Sequence, residues 1–401
     1  MSNTAEQIRS WKGPAVLTYG FRPFFLGAAS WAALAMLLWV PMISGHLTLP
    51  SALDPASWHA HEFLFGYLLA VVAGFLLTAV PNWTGRLPIV GWPLGGLFGL
   101  WVMGRVAVAF SQSFSPITVA FLDLSMPAVL AIVITREIVA GKNWRNLIVL
   151  GMLFALMLGN AVFHWEAARG DYAAQGYGLR IGLAAGIMMI AVIGGRIVPS
   201  FTRNWLVKQG AETRPASPMQ RFDKIALLSL LAALIAWVVF PASIIAATLL
   251  AIAGALHLAR LTRWAGVYTG AEPLVAVLHI AYLLVPLGAL AMAAEIILPG
   301  MAGLGAAQHF WMGGAIGLMT LAVMTRATLG HTGQPLNAGA GTIAIYTCVL
   351  SATVLRVAAG LWPGNAQELY WAAGLSWFLA FAGFAALYGP LLLRLAPAKK
   401  T

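Results

Sequence analysis

Charge is what this chain has least of. Only 9% of its 401 residues are Asp, Glu, Lys or Arg, and just 12 are acidic. Apolar residues make up 61%, and the mean hydropathy is +0.85. A soluble fold of this length cannot bury so much apolar surface, so repeated long apolar runs mean a polytopic membrane protein. There is one cysteine, Cys348, inside an apolar run. It excludes an intramolecular disulfide, a CxxC metal site and covalent c-type haem attachment. A cleavable signal peptide is not expected, because the polar start Met1 to Ser10 leads into an apolar run too long for one. No P-loop, dinucleotide fingerprint or nucleophile elbow is present.

What is there is a set of apolar segments. Twelve can be drawn, at roughly 17–44, 56–80, 89–111, 116–139, 145–167, 173–198, 224–240, 242–259, 273–297, 304–329, 339–361 and 367–395. The seventh and eighth, separated by Pro241 and Ala242, predict a tight hairpin. With the N-terminus inside, nineteen of the 23 Lys and Arg fall on the cytoplasmic side. Only Arg169, Arg180 and Arg356 lie opposite, with Arg105 inside the third segment. The positive-inside rule then places both termini in the cytoplasm. The net charge of +11 follows without invoking nucleic acid.

An internal repeat is visible. Sliding segment two by 248 residues brings His61 onto His309, Gly66 onto Gly314, Thr84 onto Thr332 and Gly85 onto Gly333. Half that offset leads to segment six, whose end RIVPSFTRNW is comparable with TAVPNWTGRL of segment two. The expectation is one twelve-helix domain, 1–401, of three four-helix units, roughly 17–139, 145–259 and 273–395.

Ionisable side chains in such segments are costly and mark function. The stretch WHAHEFLFGYLLAVVAGFLLTAVPNWTGRLP begins just after Asp54-Pro55, an N-cap with proline at the first helical position. His59 and His61 are two apart, so they point roughly 200° away from each other and cannot share one metal from a regular helix. His61 and His309, at equivalent positions of equivalent helices, form the pair expected to hold a b-type haem near the periplasmic face. Arg105 and Arg356, 251 residues apart, are the expected partners of its propionates, with Arg180 in reserve. Lipid headgroups are the alternative partners of these arginines. His59 and His164, with Glu62 or Glu166 nearby in sequence, make a second candidate site for copper or another haem. His257, His279 and His331 are a third candidate group, towards the cytoplasm. For each of these histidines the plain alternative is a hydrogen-bonded core side chain, and His46 is expected in a solvated loop. No residue is assigned a catalytic role.

The segments YGFRPFFLGA, WHAHEFLFGYLLAVVAGFLLTAVPNWTGRLP, GGRIVPSFTRNWL and VMTRATLGHTGQPL resemble those of the NnrS family, over nearly the whole chain. That resemblance implies a bacterial inner-membrane protein containing haem and copper, linked to denitrification and protection from nitric oxide. A more distant likeness, to subunit I of haem–copper oxidases, implies three four-helix arcs with haem ligands on the second and tenth helices. Here segment six lacks the copper-ligand histidine, segment seven the His-His pair, and segment ten has Trp311 where a second histidine would stand. An oxidase-type binuclear centre is therefore not implied. The expected function is redox chemistry on, or binding of, nitric oxide or a related gas, as a possible oxidoreductase drawing on quinone or a soluble electron donor. A transporter and a haem or copper insertion factor are the competing classes.

Overall fold

The computed structural model describes residues 11–84 and 88–394. The glycine match at Gly85 and the charges at Arg9, Arg86, Lys399 and Lys400 lie outside them. Every regular element among the described residues is helical. Twelve helices are long and apolar enough to cross a membrane: α1 Phe21–Ile43, α2 Pro55–Pro81, α3 Trp92–Ala109, α4 Pro116–Ala140, α5 Trp144–Ala168, α6 Tyr177–Lys208, α7 Arg221–Val239, α8 Ile244–Thr262, α9 Pro273–Ile297, α10 Leu304–His331, α11 Ala340–Leu361 and α12 Pro363–Leu393. The twelve segments read from hydropathy correspond one to one.

Helix starts follow local chemistry. The Asp54 carboxylate accepts from the Ala56 and Ser57 amides at 2.9 and 3.0 Å, with Pro55 next, as the Asp-Pro pair predicts. Ser243 caps α8 through the Ala246 amide at 3.1 Å and closes the expected hairpin after α7. The largest boundary difference is at α6, which runs ten residues beyond the apolar segment to Lys208. Hydropathy falls where Arg196, Arg203 and Lys208 begin, but the backbone stays helical as an amphipathic extension.

Three stretches widen to π-helix: Glu62–Tyr67 in α2, Ile190–Gly194 in α6 and Phe310–Leu318 in α10. These are helices two, six and ten, the three that the sequence comparison expects to be equivalent. π-Helical turns collect at functional sites, because they redirect side chains and backbone carbonyls.

The chain forms two compact units. One holds Met1–Gly182, Met324–Pro335 and Phe381–Thr401; the other holds Leu183–Val323 and Leu336–Ala380. In the first, α2 packs against α1 and α4, and α4 against α3 and α5. In the second, α8 packs between α7 and α9, and α9 and α11 lie against the π stretch of α10. Two arginines counted among the cytoplasmic charges are buried. Arg22 donates to the Leu391, Leu392 and Arg394 carbonyls at 3.1, 2.9 and 2.8 Å, satisfying the end of α12. Arg260 pairs with Asp223 at 2.7 Å.

Candidate metal centre

The first unit encloses a polar cluster built from four helices. From α2 come His61 and Glu62, where the π-helical stretch begins. From α3 comes Arg105, from α4 Asp123, and from α5 Asn160 and His164. The last two are four residues apart and so share one face of α5. All six are less than one-tenth exposed. Close helix approach makes room for this. A Cβ on Gly104 would stand 3.0 Å from the Cα of Asp123, so only glycine lets α3 reach α4 there. A Cβ on Gly66 would meet Arg105 Nη1 and lie 3.0 Å from Glu62 Oε2. The Gly66 carbonyl accepts from the Trp101 indole at 2.9 Å.

Asp123 is the hub. Its Oδ1 is paired with Arg105 Nη2. Its Oδ2 accepts from Asn160 Nδ2 at 2.7 Å and from His164 Nε2 at 3.0 Å, and stands 3.2 Å from His61 Nε2. Arg105 Nη1 also donates to both oxygens of Glu62, at 2.7 and 2.8 Å. His61 is completely buried between Phe65 and Phe163, with ring centroids 5.5 and 5.4 Å away. Its Nδ1 donates to Glu62 Oε1 at 3.0 Å. Its Nε2 faces Asn160 Oδ1 at 3.0 Å as well as Asp123. Because the amide nitrogen of Asn160 is committed to Asp123, its oxygen is the end turned to His61.

Both nitrogens of His61 therefore point at acceptors. The cluster also holds two carboxylates against one guanidinium. Inside a membrane such an imbalance is expensive. One further positive charge balances it, either a second proton on the imidazole or a metal ion at Nε2. One ligand atom each from His61, Asp123 and His164 lie within 4.8 Å of one another. A tetrahedral ion with bonds of about 2.1 Å needs ligand separations of roughly 3.4 Å. The two separations to Asp123 Oδ2, 3.0 and 3.2 Å, reach that with shifts of a few tenths of an ångström. Two imidazoles and a carboxylate suit a divalent first-row transition metal, and the His61–Glu62 bond is the usual outer support of a ligating histidine.

The other expected residues fall elsewhere. His59 does not join His164; it stacks on Trp39, with ring centroids 4.0 Å apart, and against Phe63. Glu166 caps α6 through the Tyr177 and Gly178 amides at 2.6 and 3.0 Å. Arg180 bonds the Gln175 carbonyl at 2.7 Å and lies over Tyr177. Arg105 is engaged by carboxylates of the chain itself. A haem iron at His61 Nε2 would have to displace Asn160 and Asp123. In the second unit, His309 Nδ1 bonds the Gly305 carbonyl, and Arg356 lies over the Tyr370 ring at 4.6 Å with its Nε lacking a hydrogen-bond partner. His257 and His279 are both in that unit, bonded to Tyr282 and Thr202 at 2.8 and 2.7 Å. His331 belongs to the first unit, against Tyr19 and Phe21.

Sequence reasoning passed over Asp123 and Asn160. The signal was present: an aspartate within PITVAFLDLSMPAVL and an asparagine within LFALMLGNAVF interrupt runs that should tolerate neither.

Helices and cluster together define a multi-pass α-helical membrane protein with a buried histidine–carboxylate centre. Residues 15–395 match the family described as NnrS protein, and the chain belongs to that family. No curated protein matches the chain.

Proposed function

We propose that this protein binds a transition-metal ion, copper being the one the family resemblance implies, at His61, Asp123 and His164. In this reading it uses that centre on nitric oxide or a related nitrogen species in the bacterial inner membrane, with both termini cytoplasmic. The observation that carries the reading is the convergence of two buried imidazoles on one oxygen of Asp123, in a cluster one positive charge short. When bound, a copper ion supplies one-electron redox chemistry and an affinity for small diatomic ligands. The chain's own residues do the rest. Glu62 holds His61 in the tautomer that presents Nε2. Arg105 spans Glu62 and Asp123 and holds the two carboxylates in place. Asn160 orients Asp123, and Phe65 and Phe163 exclude water from the ring.

The test is metal content and paramagnetic resonance of the full-length protein in detergent. About one ion per chain is expected, with imidazole nitrogen coupling, and with loss of the ion in Asp123→Ala. A fully folded protein that retains no copper, and takes none up on addition, would overturn the assignment.

A second cofactor position has support in the other unit. A metal-ligating histidine usually has its other ring nitrogen bonded to a carbonyl or carboxylate, and His309 Nδ1 bonds the Gly305 carbonyl. A haem there would have Arg356, whose Nε is buried and unsatisfied, as partner for a propionate. His61 is not needed for it. His309→Ala should remove the haem absorption while leaving the copper signal, and loss of both together would refute separate sites.

A further inference from the structure

The second unit contains a buried network that the proposed metal chemistry does not use. Tyr282 on α9, and His257 and Arg260 on α8, are wholly inaccessible, and Asp223 on α7 is 2% exposed. The donors and acceptors can be assigned. The Ala226 carbonyl only accepts, so His257 Nε2, 3.0 Å away, carries a hydrogen. In the neutral ring Nδ1 is then bare. It faces the Tyr282 hydroxyl at 2.8 Å, so the phenol donates to it. The phenol oxygen in turn accepts from Arg260 Nη1 at 2.7 Å. Arg260 is held by Asp223 Oδ1 at 2.7 Å and by the Ala191 carbonyl at 2.9 Å, the latter inside the π-helical stretch of α6. Trp264, 1% exposed, meets the Tyr282 ring edge-on with centroids 4.5 Å apart.

A phenol with its proton aimed at a neutral imidazole, in a buried site beside a second aromatic ring, has what a redox-active side chain needs. Removing an electron from a phenol makes its proton strongly acidic, and a buried radical cation beside the Arg260 guanidinium cannot persist unless that proton has somewhere to go. We propose that Tyr282 is a redox-active tyrosine whose phenolic proton moves to Nδ1 of His257 when an electron leaves the ring. The step balances. The O–H bond of Tyr282 breaks and an N–H bond forms on His257. One electron passes to a high-potential metal-complex oxidant, which is reduced by one unit as ruthenium(III) is to ruthenium(II), with Trp264 as the adjoining ring on the way out. The products are a neutral phenoxyl radical and an imidazolium. That imidazolium is satisfied on both sides, by the Ala226 carbonyl and the Tyr282 oxygen, so the transfer leaves neither ring nitrogen without a partner. Re-reduction returns the electron to the ring and the proton to the oxygen. Asp223 and Arg260 neutralise each other and fix the phenol oxygen in place throughout.

The experiment uses the full chain in detergent, oxidised by a flash-generated ruthenium(III) polypyridyl complex and trapped for paramagnetic resonance, with ring-deuterated tyrosine to identify the radical. A tyrosyl signal is expected in the wild type, lost in Tyr282→Phe and in His257→Phe, and slower to form in deuterated water. Because a histidine variant can fail to fold, infrared difference spectra of the wild type with isotope-labelled histidine provide an independent reading: imidazolium bands should rise together with the radical. A wild type that yields only tryptophan radicals, a tyrosyl signal that survives Tyr282→Phe, or a radical that forms with no imidazolium band would each overturn the proposal.

Discussion

Glu62→Gln tests the charge argument at the metal centre with almost no change of shape. Glu62 accepts from His61 Nδ1 at 3.0 Å and from Arg105 at 2.7 and 2.8 Å. Glutamine keeps one accepting oxygen but puts an amide NH₂ where the second oxygen faced the guanidinium. Losing a charged hydrogen bond of this kind costs about 1–3 kcal/mol. The protein should therefore unfold at a lower temperature in detergent. The sharper consequence is in charge. In the wild type, two carboxylates oppose one guanidinium, and a proton or a metal ion completes the balance. A metal entering at His61 Nε2 must therefore expel about one proton, and its affinity should rise about tenfold per pH unit. In the variant one carboxylate opposes one guanidinium, no further charge is required, and metal uptake should release no proton. Removing the outer support of a ligating histidine should also weaken metal binding about 10- to 100-fold, or about 1.4–2.8 kcal/mol. The assay is competition with a chelator of known copper affinity at several pH values, together with proton release in weak buffer. Equal proton release and equal pH slopes in the two proteins would refute the reasoning, even if the absolute affinities differed.

Gly66→Ala places a Cβ against Arg105 Nη1 and 3.0 Å from Glu62 Oε2; a destabilisation of about 1–3 kcal/mol, with weakened copper retention, is expected on thermal unfolding. Arg22→Leu deprives the end of α12 of three carbonyl contacts and should expose that end to limited proteolysis while copper content is unchanged. Reporter fusions at Leu49 and at Lys400 should report opposite sides of the membrane; the same side for both would break the proposed orientation.

The fold was legible in the sequence to an unusual depth because the membrane imposes it. Each crossing needs about twenty apolar residues, so hydropathy alone locates the helices. Caps written in short-range chemistry, such as Asp54-Pro55, then set individual ends. The failures have one physical origin. A hydropathy window measures transfer into lipid, whereas a helix is held by backbone bonds. The basic tail of α6 is therefore helical though no window includes it, and Arg22 and Arg260, treated as loop charges, turn inward to partners that only the packed chain provides.

The site was half legible for a related reason. His61 was singled out because an ionisable residue at a helix mouth is rare, and that logic needs no knowledge of neighbours. The question of which groups meet His61 depends on how α2, α4 and α5 cross, and no spacing along the chain encodes that. Symmetry suggested His309 as the partner, and sequence proximity suggested His59 with His164. In the folded unit, His164 sits with its ring centroid 4.9 Å from that of His61, while His59 turns the other way onto Trp39. The 200° between His59 and His61 already kept them from ligating one metal together. The same depth argument, applied to acids as strictly as to histidines, would have brought Asp123 into the site. An unpaired carboxylate within an apolar helix cannot stand alone, so its presence in α4 called for a guanidinium and an imidazole within reach. Arg105 and His164 are what the neighbouring helices supply.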